Sequence, residues 1–207
     1  MSTSGINPNM MVSNIDISSM DLETALMTVQ SERTRLLDAQ LADQIKAVQN
    51  RNDQIAKLNN VLSTLTKAQS QFNSDAKAGD TIGGWDSAKI SSIEVPLNDA
   101  VQEAGLSDLG FTSRTGQRTP DAGETKDGNE GKLITGTAVF AGGTTKGEID
   151  AAITKIKGLI DGESNSQQMD MLRLQSMSNK RNEAFDVMTN FVKKMQDSRS
   201  SIIGNMR

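Results

Sequence analysis

From Ser166 to Ile203 the sequence contains neither glycine nor proline. Within it, Leu174, Met177, Arg181, Ala184, Met188, Phe191, Met195, Ser198 and Ile202 follow one another at alternating steps of three and four. That spacing is the seam of a helix that pairs with other helices. Phe185, Val192 and Ile203 widen the stripe, so one helical neighbour is too few to cover it. Ser164, Asn165 or Ser166 can cap the start, and Gly204 can end it. At the α-helical rise this stretch is about 57 Å long. The rest of the chain, or further copies of it, must supply its partners.

A second stretch without glycine or proline runs from about Met20 to Phe72. Ser19 or Asp21 can cap it, and Asp21 and Glu23 suit the positive end of its dipole. Its apolar residues fall at Leu22, Leu26, Val29 and Leu36, then Leu41, Ile45 and Val48. Asn52, Ile55, Leu58, Leu62, Leu65 and Phe72 follow. This reads as heptads with two phase breaks, the one near Leu36 being the expected place for a bend or break. Asn52 falls on the predicted seam. It is read either as a tolerated polar residue or as one that sets register, and both uses occur in coiled coils.

Between the arms the composition changes. Of 17 glycines, 15 lie from Gly79 to Gly162, while all 11 methionines lie outside that range. Gly79 to Trp85 is a turn-rich exit, with the single Trp85 expected as a packing anchor. Pro96 followed by Leu97, Val101 and Ala104, and stopped by Gly105, predicts a short helix. Residues 111–131 read as an exposed polar loop, and residues 132–140 as one short strand or hairpin arm. Thr145 and Glu148 form a capping-box pattern. It opens a helix bearing Ile149, Ala152, Ile153, Ile156 and Ile160 on one face, with Gly162 as its expected end.

The resulting expectation is a mainly α fold. Its long N- and C-terminal helices form a coiled coil around a Gly-rich insertion of short helices and loop, with a minor β element. The divisions are a polar leader (1–19), an N-terminal arm (20–73), the inserted middle (74–165) and a C-terminal arm (166–207).

Aromatic residues make up only 3% of the chain and hydrophobic residues 35%. That favours elongated helical packing over the thick core of a typical enzyme. The absence of Cys and His removes thiolate chemistry, the usual general base and the commonest metal ligand. A net charge of -4 argues against nucleic acid as a partner. The glycine-rich run at 141–148 lacks the phosphate-loop order of Gly, four residues, then Gly-Lys-Ser/Thr. Asp121, Glu124, Asp127 and Glu130 miss the calcium-loop spacing. No catalytic, cofactor or metal residue is therefore expected.

Gly142-Gly143, Ile149, Ala152-Ile153, Ser166-Gln167 and the run Gln175-Ser176-Met177-Ser178-Asn179 resemble the C-terminal region of the type III secretion filament proteins of the EspA kind. The resemblance covers residues 140–203, about a third of the chain. The first helix agrees in type and position, and residues 80–135 do not match. The resemblance implies a secreted subunit that assembles into a hollow helical filament at the needle tip. Translocators and effectors would pass through it to the host cell. It also implies an uncleaved export signal in the leader, a cytoplasmic secretion chaperone and contact with the needle subunit. The residues expected to carry self-assembly are Leu174, Met177, Ala184, Met188, Phe191, Met195 and Ile202. Opposite them stand Ile45, Val48, Ile55, Leu62 and Leu65. A needle-tip cap forming a small oligomer and a flagellin-like axial subunit remain alternatives at this level.

Overall fold

The computed structural model describes residues 22–106, 109–112, 114–120, 132–138 and 140–205. The leader at 1–19 and the loop acids between 121 and 130 lie outside them. Over the described residues the protein is mainly helical, with two long helices, a short helical segment and a two-stranded sheet.

Helix α1 spans Leu22–Gln69 without interruption, so the helix does not break near Leu36. The reason is visible in its burial. Gln30, Thr34, Leu37, Leu41, Gln44, Val48, Arg51, Ile55, Leu58, Leu62 and Leu65 are all buried or half-buried. Their steps alternate four and three throughout, so the stripe has no phase break. The apparent breaks came from following apolar residues alone. Polar Gln44 and Arg51 occupy places on the stripe, while Ile45 and Asn52 beside them are exposed.

A helical segment follows as α2 (Ser87–Lys89), a wide π-helical turn (Ile90–Glu94) and α3 (Val95–Glu103). Asp86 caps it by accepting the Lys89 N–H at 2.8 Å. Pro96 lacks an N–H and would crowd the carbonyl four residues earlier. The widened turn precedes it, and the Ser92 carbonyl accepts Lys67 Nζ at 2.9 Å instead. Gly105, at φ 68°, ends α3, with Leu106 N–H bonding back to the Val101 carbonyl at 3.1 Å.

Strands β1 (Arg114–Arg118) and β2 (Ile134–Ala138) pair antiparallel, with Arg114 opposite Ala138 and Arg118 opposite Ile134. The strand expected within 132–140 is present, but 114–118 is a strand rather than loop. RTGQR carries no apolar alternation. Side chains of the helical segment hold it: Glu94 Oε1 accepts the Gln117 N–H at 2.6 Å, and Asn98 Nδ2 donates to the Gln117 carbonyl at 2.9 Å. Beyond its end, Asp99 accepts the Thr119 N–H at 2.9 Å and its hydroxyl at 2.6 Å. These carboxylate and amide groups occupy the edge of β1 as a neighbouring strand would.

Helix α4 spans Lys146–Asn205 as a single helix of 60 residues. It therefore begins well before Ser166 and runs through Gly158 and Gly162. Neither glycine has a neighbour that a β-carbon would touch, so each lowers helix propensity without interrupting the helix. Helices α1 and α4 pack together antiparallel. Gln69 Nε2 donates to Asp150 Oδ1 at 2.6 Å, and Gln167 Nε2 donates to Asn52 Oδ1. These two pairs are equally spaced along both helices, so the pairing between them has no slip.

The chain divides into two compact units. Lys46–Met171 form one; Met1–Ile45 with Leu172–Arg207 form the other. The first holds the hydrophobic core. Leu58, Val61, Leu65 and Ala68 of α1, Ile149, Ala152, Ile153 and Ile156 of α4, and Leu97, Ala100, Val101 and Ala104 around α3 bury one another. Phe140 lies fully buried, with Trp85 and Phe111 edge-on at centroid distances of 5.8 and 6.1 Å. The second unit is a pair of helix arms with little buried apolar surface.

The start of α4 shows the predicted capping box. Glu148 accepts the Thr145 N–H at 2.8 Å, and the Glu148 N–H reaches Thr145 Oγ1 at 3.4 Å. The same carboxylate accepts the N–H and hydroxyl of Thr112, tying the segment before β1 to α4. Burial acts to raise its pKa, but the N–H groups of Thr145 and Thr112 and their hydroxyls outweigh it. They hold the carboxyl far below the usual carboxylate range. Asp150 is lowered too, first by Lys146 Nζ at 2.7 Å and then by Gln69. A depressed folded-state pKa stabilises the fold above the unfolded value, about 4.3 for Glu, and that contribution fades as pH falls toward the folded value. The melting temperature is therefore expected to fall on acidification from about pH 5 to about pH 3, and to fall less in Glu148→Gln. Parallel profiles for the two proteins would remove Glu148 from the acid response.

Candidate assembly surface

A cleft of about 410 Å³ is bordered by Trp85, Glu94, Gln117 and Gly142. Glu94 is buried, yet its second oxygen accepts Trp85 Nε1 at 3.2 Å while the first holds Gln117. A β-carbon on Gly142 would stand 2.5 Å from the Trp85 ring. That close approach explains a glycine here without any phosphate, and Trp85 serves as the expected packing anchor. Lys146, in the glycine-rich run, is committed to Asp150.

The α1–α4 contact in this unit is joined by a charge cluster that the sequence reading did not find. Arg51 donates through Nη1 to Glu163 Oε2 at 2.5 Å and through Nε to Asp170 Oδ2 at 2.9 Å. Hydrogen bonding to Asp170 and Glu163 raises the guanidinium pKa still further, against a small opposing effect of burial. Arg51, half-buried on the stripe, thus occupies the polar place that the sequence reading gave to Asn52. Exposed Asn52 bonds Gln167 beside it. The available signal was the unbroken four-three stripe, which passes through residue 51.

The candidate assembly residues have unequal surroundings. Leu65 is fully buried in the core, with Leu62 packed against it and Ile55 half-buried; Val48 is buried. These four contribute to packing within the chain. In the other unit Ala184 is buried, and Leu174, Met177, Met188, Phe191 and Met195 are half-buried. Ile45 is exposed. The side chain of Ile202 lies outside the described residues. Arg181 reaches Asp38 at 2.6 Å.

The surface of the arms shows a mismatch between chemistry and position. On α1, polar Gln30, Thr34 and Gln44 take half-buried places, whereas Leu26, Met27, Val29, Leu36 and Ile45 are exposed. Gln30 Oε1 and Gln44 Nε2 are buried without a hydrogen-bond partner among the described residues. On α4, Leu172, Phe185, Val187 and Ile203 are exposed. A helix pair that buries amides and leaves leucine, valine and phenylalanine to water has surface suited to a further partner.

No helix among the described residues is long and apolar enough to cross a membrane. Comparisons with family models, curated proteins and solved structures returned no match.

Proposed function

We propose that the chain is a secreted structural subunit that self-assembles into a hollow helical filament at the tip of a type III secretion needle. The filament is a conduit carrying translocators and effectors to the host cell, and the subunit is extracellular, part of a bacterial surface appendage. Its function is structural rather than catalytic. Its partners are other copies of itself, the needle subunit, translocator proteins and a cytoplasmic chaperone that covers the arms before export.

The supporting observation is the exposed apolar surface on both arms, beside a compact unit that needs no partner for its own core. The resemblance over residues 140–203 supplies the secretion context. In this reading the arms form a coiled coil within the subunit and extend it by contact between copies. The half-buried face of Leu174, Met177, Met188, Phe191 and Met195 is then completed in the assembly.

Negative-stain electron microscopy of the full-length protein is expected to show long filaments of uniform width. Phe191→Asp and Met195→Asp are expected to abolish them, because an unpaired carboxylate in that face costs several kcal/mol, roughly 2–5. Filaments of normal length in both variants would disprove the assignment of the face. A small monodisperse species from the unaltered protein would favour a tip cap.

A further inference from the structure

The two edges of the sheet differ. Glu94 Oε1 accepts the Gln117 N–H and Asn98 Nδ2 donates to the Gln117 carbonyl, so both backbone groups of Gln117 point away from β2. Gln117 stands opposite Thr135. In an antiparallel ladder, residues alternate between bonding the residue opposite and facing outward. The bonded pairs are therefore Arg114–Ala138, Gly116–Gly136 and Arg118–Ile134, and the backbone groups of Thr135 and Thr137 face the outer edge of β2. Neither threonine bonds through these groups to any described residue.

The outer edge of β2 also lacks the usual protection. Edge strands in natural proteins carry charges or proline, or are covered. Ile134–Ala138 holds neither charge nor proline, whereas Glu94, Asn98 and Asp99 block the edge of β1. Among the described residues, a second copy therefore offers one open sheet edge, the same one. That edge matches itself. Its outward groups lie symmetrically about Gly136, so an antiparallel copy centred there sets Thr135 of each against Thr137 of the other. Each pair then exchanges both N–H···O bonds. Exposed Lys132 of the two copies falls at opposite ends of the paired strands. Arg114 and Arg118 on β1 stand three strand spacings from their counterparts, about 14 Å, which is beyond the screening length at physiological salt. Neither set of cations opposes this register.

We propose that β2 pairs with β2 of a second copy about a two-fold axis at Gly136, joining the two sheets into one of four strands. Such a contact closes at two copies. It is distinct from the arm contact of the proposed filament and does not rest on it.

The test uses full-length protein carrying Phe191→Asp, to remove the arm contact, with and without Thr135→Pro. Proline at 135 deletes an outward N–H and no bond to β1, so circular dichroism and melting temperature are expected to match the parent. By sedimentation equilibrium at millimolar protein, the parent is expected at twice the monomer mass and Thr135→Pro at the monomer mass. In amide hydrogen exchange the Thr137 N–H is expected to exchange about ten-fold faster in Thr135→Pro, and likewise on diluting the parent to micromolar protein. The Gly136 N–H, bonded to β1, is expected to serve as the unchanged reference. A monomeric parent, a dimer that survives Thr135→Pro, or Thr137 exchange that responds to neither change would overturn the pairing. If Phe191→Asp still forms filaments, the arm face is disproved and Thr137 exchange alone decides the sheet contact: equal rates with and without Thr135→Pro would overturn it.

Discussion

Phe140→Ala is expected to lower the unfolding free energy of the Lys46–Met171 unit by about 3–5 kcal/mol, the range for removing a buried Phe side chain. Phe140 has no exposed surface and connects the sheet side of the unit to the helices. Trp85 and Phe111 meet its ring edge-on. Edge-on aromatic pairs add about 0.5–1.5 kcal/mol beyond area burial. Both rings are themselves only partly buried. Trp85 is the only tryptophan, and its fluorescence during urea unfolding reports on this contact. A loss below about 1 kcal/mol would mean that the site collapses around the missing ring.

The second large effect is expected at Asn98, a buried amide whose three bonds all go to backbone. Its Nδ2 donates to the carbonyls of Gln117 and Phe140 at 2.9 and 3.0 Å, and its Oδ1 accepts the Phe140 N–H at 2.9 Å. Asn98→Ala leaves those backbone groups unpaired in a buried place. One unpaired buried group costs about 1–3 kcal/mol, so a loss of about 2–4 kcal/mol is expected. Asn98→Asp should be worse, since it would aim a carboxylate at two carbonyl oxygens. Amide hydrogen exchange gives the local readout: the Phe140 N–H is expected to exchange much faster in Asn98→Ala, relative to Leu65 in α1. Unchanged protection at Phe140 would show that another acceptor replaces Asn98.

Features encoded by neighbours in sequence were legible, and those encoded across the fold were not. The Thr145–Glu148 box and the helix between Pro96 and Gly105 rest on local chemistry, and both formed where expected. Gly162 is a plausible helix end by propensity, but the continuing helix binds α1 through Glu163, Gln167 and Asp170, and that outweighs the cost of a glycine. Strand β1 was missed because its stabilisation comes from Glu94 and Asn98, some twenty residues away, and not from an apolar face of its own. A phase break near Leu36 was expected because exposed apolar residues such as Leu26 and Leu36 were counted as seam residues.

Helices α1 and α4 each belong to both units, and their two portions are held by different chemistry. In one unit they close on an apolar core, where Asn98 bonds both backbone groups of Phe140 and Arg51 bonds Glu163 and Asp170. In the other they meet over half-buried residues, with amide atoms on Gln30 and Gln44 that have no partner among the described residues. Opening should therefore begin in the arms and stop at the core, as a local transition well below the free energy of global unfolding. In the proposed assembly such a chain would keep its body folded while its arms exchange one set of neighbours for another. Handover from a carrier to a growing polymer would then require no refolding of the body, only a change of cover along the arms.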